Sequence, residues 1–183
     1  MTHWSLRVVR IVSAAAGLVL LSFVLLLATR DGGNGPQSKS PLIGELVPHV
    51  EGVRFDGESF DVDEVTSGWV LINFFASWCV PCVREHPELV EWNRRHRLDG
   101  VVISVPFGDT EKDARAFFVE HGGNWPVLID NESAWAVAFG VLRPPESFLV
   151  APGGVVVAKW QGQITADEVD RVVVDLQERN ATS

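Results

Sequence analysis

The feature that most constrains this fold is an apolar run that leads directly into a pair of cysteines. Residues Val70–Phe75 read Val-Leu-Ile-Asn-Phe-Phe, and Cys79 and Cys82, the only two cysteines of the chain, follow shortly after them. A short, continuous apolar run predicts a buried strand. The sequence that follows Cys82 can form a helix, so we expect the two thiols at a strand-to-helix turn.

Two thiols at this spacing have three uses: a structural bridge, half of a metal site, or a redox-active disulfide. A disulfide that closes so short a loop restricts the unfolded chain very little, so it would stabilise the fold only weakly. A closed zinc site needs four ligands, and the sequence holds no second cysteine pair. Redox chemistry is therefore the leading interpretation, and it requires no cofactor or metal beyond the Cys79–Cys82 disulfide.

The position of the two cysteines predicts different roles for them. A thiolate is the reactive species, and a helix N-terminus lowers the pKa of a nearby thiol. We expect Cys79 to be the exposed attacking nucleophile at the start of the helix, and Cys82, one turn further on, to be the buried resolving thiol. Pro81 suits the first helical turn because its φ is fixed and its missing N–H is not needed there.

The N-terminal segment predicts a membrane anchor. Residues 1–10 carry Arg7 and Arg10 and no acid, and residues 11–28 are uncharged and mostly apolar. As a helix, the second segment covers about 27 Å, close to the ~30 Å hydrocarbon core. A cleaved signal peptide is the competing interpretation, although Leu26-Leu27-Ala28 is a poor cleavage site. The basic residues predict a cytoplasmic N-terminus, hence a single-pass cell-membrane protein whose catalytic domain is extracytoplasmic.

The composition of the remaining chain predicts a flexible linker over residues 29–40 and one folded domain over residues 41–183. The linker is rich in glycine and polar residues. The domain keeps 11 of the 15 basic and 23 of the 24 acidic residues, which gives it a net charge of −12. Such a charge repels phosphate backbones and argues against nucleic-acid binding.

Strand and helix patterns alternate along the domain. The predicted strands are Leu46–Phe55, Ser59–Val62, Trp69–Phe75, Val101–Val105, Val127–Ile129, Ser147–Val150 and Val155–Trp160. The predicted helices are Val83–Arg97, Thr110–His121, Ser133–Phe139 and Thr165 to about Arg179, with Thr110, Thr165 and either Asn131 or Ser133 as N-caps. This order predicts an α/β fold of three layers, with helices on both faces of a central sheet.

The segment from Asn73 to Leu89 resembles the active-site strand and helix of the membrane-anchored thioredoxin-like reductases, the TlpA, ResA and DsbE group that serves cytochrome c maturation. The similarity includes the motif Trp78-Cys79-Val80-Pro81-Cys82 and the segment Pro145–Val150, and it extends from about Ile43 to Leu176. The resemblance implies a thioredoxin-like fold with a central mixed sheet and a thiol:disulfide oxidoreductase activity.

The resemblance also implies roles for individual residues. Pro145, in the cis form, would lie against the dithiol and shape the substrate groove, and Pro87 would kink the active-site helix. Glu85 matches the helix glutamate of the family and could tune the thiol pKa values or relay a proton, unless it is simply a solvated helix residue. Asn73 replaces the buried acid of cytoplasmic thioredoxins, and an amide cannot accept the proton that an acid would.

Two side chains beside the motif carry further expectations about the substrate. Trp78 offers a flat contact surface next to the nucleophile. Pro144 stands where this fold usually offers a backbone N–H to a bound peptide, and proline has none. We therefore expect substrate pairing through the Pro144 carbonyl alone, with looser sequence selectivity.

Three functions are compatible with this sequence. The first is reduction of exported protein disulfides, such as those of apocytochrome c before haem attachment, with a membrane thiol reductant to recycle the dithiol. The second is oxidation or isomerisation of exported disulfides by the same chemistry. The third is a copper-carrying assembly factor, in which His86 would join Cys79 and Cys82 as a ligand. We expect His86 instead to be a helix-surface residue and expect no metal.

Overall fold

The computed structural model describes residues 12–22, 38–49, 51–130 and 132–182, and the chain divides into the units Met1–Gly33 and Asn34–Ser183. In the first unit, residues 12–22 are helical. The other residues of the predicted anchor 11–28, the predicted cytoplasmic segment 1–10 and residues 29–37 of the predicted linker lie outside the described residues. Across the described ranges, no helix combines the length and the apolar character needed to cross a membrane.

The second unit contains seven strands and four α-helices within its described residues. The strands are β1 (Glu51–Arg54), β2 (Ser59–Asp61), β3 (Trp69–Phe75), β4 (Gly100–Pro106), β5 (Leu128–Ile129), β6 (Glu146–Val150) and β7 (Val156–Gln161). The helices are α1 (Val80–Arg95), α2 (Glu111–His121), α3 (Ala134–Phe139) and α4 (Ala166–Ala181), with one 3-10 turn at Val62–Val65.

The central sheet has four strands in the order β4-β3-β6-β7 and is mixed, as expected. Strand β3 is parallel to β4 and antiparallel to β6, and β6 is antiparallel to β7. A smaller antiparallel sheet has the order β2-β1-β5. A parallel bridge between Ser104 and Val127 joins the edge of the central sheet to the residue before β5.

Both faces of the central sheet are covered, which confirms the three-layer architecture. Side chains alternate along β3, so Trp69, Leu71 and Phe75 belong to one core, shared with α1, α2 and α4. Val70, Ile72 and Phe74 belong to the other core, shared with α3 and the β2 region. All seven β3 residues are buried, as a strand covered on both faces should be.

The N-terminal part of the domain differs from the predicted single strand Leu46–Phe55. Leu46 bridges Val155 at the β7 edge, whereas β1 begins only at Glu51 and pairs with β2 and β5. Pro48, which has no backbone donor, lies between the two pairing regions. Among the described residues, contacts with the domain extend to three residues before Pro41, where the Ser38 N–H donates to the Lys159 carbonyl at 2.8 Å.

The helix caps match the sequence prediction except in α3. Thr110 caps α2, and Thr165 forms a capping box with Glu168 at the start of α4. Ser133 is at the N-cap position of α3 but makes no side-chain cap, and the alternative cap Asn131 lies outside the described residues. The Asp130 carboxylate instead accepts from the backbone N–H groups of Trp135 and Ala136, at 3.2 and 3.1 Å.

Candidate active site

The end of β3 places the two cysteines at the N-terminus of α1. Cys79 is the N-cap residue of this helix, and the structure contains a Cys79–Cys82 disulfide with the two Cα atoms 5.2 Å apart. The Cys82 backbone N–H donates to the Cys79 sulfur at 3.2 Å. Pro81 lies in the first turn, as predicted. The helix begins at Val80, earlier than the predicted Val83, because the dithiol itself forms the first turn.

We expected Cys79 to be exposed and Cys82 to be buried, and the prediction for Cys79 is wrong for this disulfide form. Cys79 is 4% exposed and Cys82 is 3% exposed, so both are buried. The reason is that the disulfide draws both sulfurs into the same core as Phe75 and Leu89. The N-cap position, where helix N–H groups point at the sulfur, still distinguishes Cys79 from Cys82.

A loop after β4 fixes the residues that precede Cys79. The Asp109 carboxylate accepts from the Ser77 backbone N–H at 2.6 Å and from the Ser77 hydroxyl at 3.0 Å. The Trp78 indole N–H donates to the Gly108 carbonyl at 3.2 Å, while the Trp78 residue stays 61% exposed. Trp78 is therefore tethered beside the dithiol with most of its surface open to a partner.

The Pro144–Pro145 peptide bond is cis, as expected from the sequence, and Pro145 is buried. Register places this bond near the dithiol, because Phe74 at the end of β3 pairs with Glu146 at the start of β6. The turn before β6 and the turn after β3 therefore leave the sheet at the same end of these two strands. Pro144 is only half-buried.

A buried glutamate holds the loop that carries the cis bond. Glu146 is fully buried, and its Oε1 accepts from the backbone N–H groups of Leu142 and Arg143 at 3.1 and 3.3 Å. Its Oε2 forms an ion pair with Lys159 Nζ at 2.7 Å, and Lys159 also lies over the Phe148 ring. We did not predict this pair. Its sequence signal was a lysine within the predicted strand Val155–Trp160 and a glutamate directly before Ser147.

Glu85 lies on α1 one turn after Cys82 and is only 1% exposed. Its Oε1 accepts from the Asn73 side-chain amide at 3.1 Å and contacts the Ser147 hydroxyl at 3.4 Å. Burial raises the pKa of Glu85 well above its usual value, although the Ser147 hydrogen bond opposes this shift. The alternative of a solvated helix glutamate is therefore wrong, because α1 turns this position toward β3.

Asn73 is buried on β3 and supports this arrangement, as its place in the motif suggested. One of its amide N–H groups reaches Glu85, and the other donates to the Ser147 hydroxyl at 3.0 Å. Pro87 lies within α1, which continues past it to Arg95. Ser147 carries no motif of its own, so sequence reasoning missed it.

The prediction that His86 lies on the helix surface is wrong. His86 is 3% exposed and packs against Phe117, Phe118 and Trp125, with its Nε2 2.9 Å from the Gly122 carbonyl oxygen. Because a carbonyl only accepts, Nε2 carries the proton and donates to it. Burial lowers the pKa of His86, an effect that His121 strengthens and the Gly122 bond opposes. The apolar neighbours on α2 could not be located from sequence.

One group of potential metal ligands appears among the described residues, away from the dithiol. His49, Asp61 and Asp63 bring their ligand atoms within 4.8 Å of one another. The His49 Nδ1 is 3.2 Å from Asp63 and 3.7 Å from Asp61, so His49 contacts both carboxylates.

A Cys-x-x-Cys pair at a helix N-terminus, with a cis-proline turn at the same edge of a mixed sheet, defines a thioredoxin-like thiol:disulfide oxidoreductase. The chain belongs to the Redoxin family, which matches residues 42–180. This result confirms the fold and the enzyme class expected from the sequence.

Individual relatives agree with this assignment. The thiol:disulfide interchange protein DsbE homolog of Paracoccus denitrificans is 33% identical over 132 residues, which cover 70% of this chain and 72% of that protein. The thiol-disulfide oxidoreductase ResA of Bacillus thuringiensis is 26% identical over 129 residues, covering 70% and 75%. The crystal structure of a thiol:disulfide interchange protein from Chlorobium tepidum has the same fold, with a TM-score of 0.64, 22% identity and coverage of 74% and 97%.

Proposed function

We propose that this oxidoreductase is tethered to the cell membrane and reduces disulfides of exported proteins, including apocytochrome c before haem attachment. The observation that carries the proposal is the placement of the dithiol at the N-terminus of α1 with a buried carboxyl one turn behind it. The resemblance to the cytochrome c maturation group supports the direction of electron flow and the substrate.

The first chemical step uses the reduced dithiol. The Cys79 thiolate attacks one sulfur of the substrate disulfide, and the other substrate sulfur leaves as a thiolate that takes a proton from water. The Cys82 sulfur then attacks Cys79 Sγ, the second substrate sulfur leaves, and the Cys79–Cys82 disulfide forms. Two electrons have passed to the substrate, and a membrane thiol reductant must return two electrons to the dithiol.

Glu85 accepts the proton that Cys82 loses and later returns it. Residues three apart on a helix have Cβ atoms about 5–6 Å apart, so the carboxyl lies one turn from the sulfur that must lose its proton. A Glu85 carboxylate accepts the proton when Cys82 attacks, and the buried acid is then neutral in the disulfide form. When the recycling reductant attacks Cys79, Cys82 leaves as a thiolate and Glu85 returns the proton.

The surface around the dithiol fits an unfolded polypeptide. Trp78, Val80 and Leu142 are 61%, 60% and 78% exposed and flank the site on the two turns of the sheet edge. A partner that buries this apolar surface would be held by contact area, with the Pro144 carbonyl as an acceptor for its backbone. This arrangement favours a flexible segment around a disulfide over one particular folded protein.

Export and tethering rest on the N-terminal sequence. The uncharged run 11–28 follows Arg7 and Arg10, which favours a cytoplasmic N-terminus. We expect the full chain to stay in the membrane fraction after an alkaline wash, and externally added protease to digest the domain in spheroplasts. A chain released by the wash, or a domain protected from protease in intact spheroplasts, would contradict this part of the proposal.

The substrate is tested by trapping. In Cys82→Ser the mixed disulfide on Cys79 cannot be resolved, so the bound partner can be purified with the full-length protein and identified. We expect apocytochrome c among the trapped proteins, and we expect it to be lost in the Cys79→Ser, Cys82→Ser control. Capture restricted to exported proteins without haem-attachment cysteines would overturn the substrate and favour a role in oxidation or isomerisation.

A further inference from the structure

The hydroxyl of Ser147 belongs to a buried group of three polar side chains under the dithiol. Ser147 lies on β6 directly opposite Asn73 on β3, so the two side chains leave the same face of the sheet. Both contact Glu85, which reaches this face from α1. Ser147 is fully buried.

The hydrogen atoms of this group can be assigned one by one. The Asn73 amide has two N–H bonds, of which one points to Glu85 Oε1 and the other to Ser147 Oγ. Because Ser147 Oγ already accepts from Asn73, its own hydrogen is free to be donated to Glu85 Oε1, 3.4 Å away. Oε1 thus has two donors, which disfavour a proton on this oxygen of Glu85.

The second carboxyl oxygen has the opposite environment. Glu85 Oε2 is buried and has no hydrogen-bond partner among the described residues. A neutral carboxyl carries its proton on one oxygen only, and two donors at Oε1 place that proton on Oε2. A buried O–H group without an acceptor is costly, so it gains strongly from an acceptor that forms during the reaction.

We infer that Ser147, together with Asn73, is a positioning residue that occupies Oε1 of Glu85 and leaves Oε2 as the oxygen that exchanges a proton with Cys82. The inference rests on the proposed proton exchange between Glu85 and Cys82. Without the Ser147 hydroxyl, Oε1 keeps a single donor, and the proton can reside on either oxygen. The buried carboxylate then has one donor fewer, so less of it is present to take the Cys82 proton, and the step in which Cys82 attacks becomes slower.

The chain offers a matched control for a serine substitution at this depth. Ser104 lies on β4 opposite Asn73 on the other side of β3 and is equally buried, at 1% exposure. Its hydroxyl accepts from the Trp125 indole N–H at 2.8 Å. Ser104→Ala therefore removes a buried hydroxyl next to the same asparagine without touching Glu85.

The experiment uses the full-length, reduced protein and a small aromatic disulfide whose thiolate absorbs visible light. The first thiolate is released when Cys79 attacks, and the second when Cys82 resolves the mixed disulfide. We expect Ser147→Ala to change the rate of the first phase by less than about twofold. The rate of the second phase should fall by about tenfold, because the loss of one ordinary hydrogen bond changes a rate by roughly this factor. The pH midpoint of the second phase should rise, because the Ser147 bond opposes the raised pKa of Glu85.

Ser147→Thr, which keeps the hydroxyl, should restore the second phase, and Ser104→Ala should leave both phases unchanged. A second phase in Ser147→Ala that equals that of Ser104→Ala, in rate and pH midpoint, would overturn the role of Ser147. A wild-type protein that releases no second thiolate would instead contradict the proposed dithiol chemistry itself. The two failures are therefore distinguishable.

Discussion

Two glutamates are buried among the described residues of this domain, and their surroundings are opposite. Glu146 has the Lys159 ammonium 2.7 Å from Oε2 and two backbone N–H donors on Oε1. Oε2 has no hydrogen bond of good geometry to a described residue, so the ion pair alone compensates that oxygen. Within the part of the chain that the structure describes, Glu85 has only a neutral amide and a neutral hydroxyl, both on the same oxygen. A buried carboxylate is stable only when it is paired and hydrogen-bonded. Glu146 therefore pairs with Lys159 and holds a loop, whereas Glu85 is suited to gain and lose a proton.

The largest expected effect comes from breaking the compensated site. In Glu146→Gln the Lys159 ammonium stays buried without a counter-charge, and the loss of one partner of a buried pair typically costs about 3–5 kcal/mol. We expect this loss in the free energy of unfolding, measured by denaturant titration of the disulfide form.

The matched control for this variant removes both charges. Glu146→Gln combined with Lys159→Met leaves no unpaired ion, so the double variant should recover most of the lost stability. A single Glu146→Gln variant as stable as the wild type would show that the ion pair does not hold this region.

Glu85→Gln, in contrast to Glu146→Gln, should raise the free energy of unfolding. Because burial raises the pKa of Glu85, the folded protein holds this proton at pH values where the unfolded chain has lost it, so stability falls as the pH rises above about 4.5. Glu85→Gln removes this loss, and its stability relative to wild type should increase between pH 5 and pH 8 by about 1.4 kcal/mol for each unit of the pKa shift.

Denaturant midpoints of the disulfide form at the two pH values measure this effect, with the exposed Glu64→Gln as the control. If the gain of Glu85→Gln over wild type were the same at pH 5 and pH 8, Glu85 would have an ordinary pKa.

The sequence predicted the parts of this comparison that depend on local pattern. The strand Trp69–Phe75, the dithiol at the start of α1, the cis bond before Pro145 and the caps of α2 and α4 follow from apolar runs, turn residues and a recognisable motif. Burial of Glu85 and His86 did not follow, because it depends on which neighbours α1 meets on β3, β6 and α2. The pair Glu146 and Lys159 depends on the β6–β7 register, which a single sequence does not reveal.

A smaller effect is expected at His86, a buried base that lies next to Glu85 in sequence. Its lowered pKa means that the unfolded chain binds a proton first, so His86 contributes a loss of stability as the pH decreases below about 6.5, opposite in sign to the contribution of Glu85. His86→Gln should remove this contribution, so the difference in stability between this variant and the wild type should change from pH 7 to pH 5. Thermal unfolding at the two pH values measures it, and equal slopes in the two proteins would exclude His86 as its source.

The smallest effect is expected at Pro144, in the loop that Glu146 holds. Pro144→Ala adds a backbone N–H that a bound peptide can use, and one additional hydrogen bond contributes about 0.5–1.5 kcal/mol. We expect exchange with peptide disulfides to become a few-fold faster and more dependent on peptide sequence. Unchanged rates across a panel of peptides would show that this edge does not pair with the substrate backbone.

The most direct test of the difference between the two glutamates is a carbon-13 NMR titration of the glutamate carboxyls in the disulfide form. The resonance that disappears in Glu85→Gln identifies this group. The uncompensated environment predicts that Glu85 stays protonated well above pH 4.5 and titrates after the exposed glutamates. Titration of this resonance at or below pH 4.5 would contradict a neutral Glu85, and with it the proton exchange with Cys82.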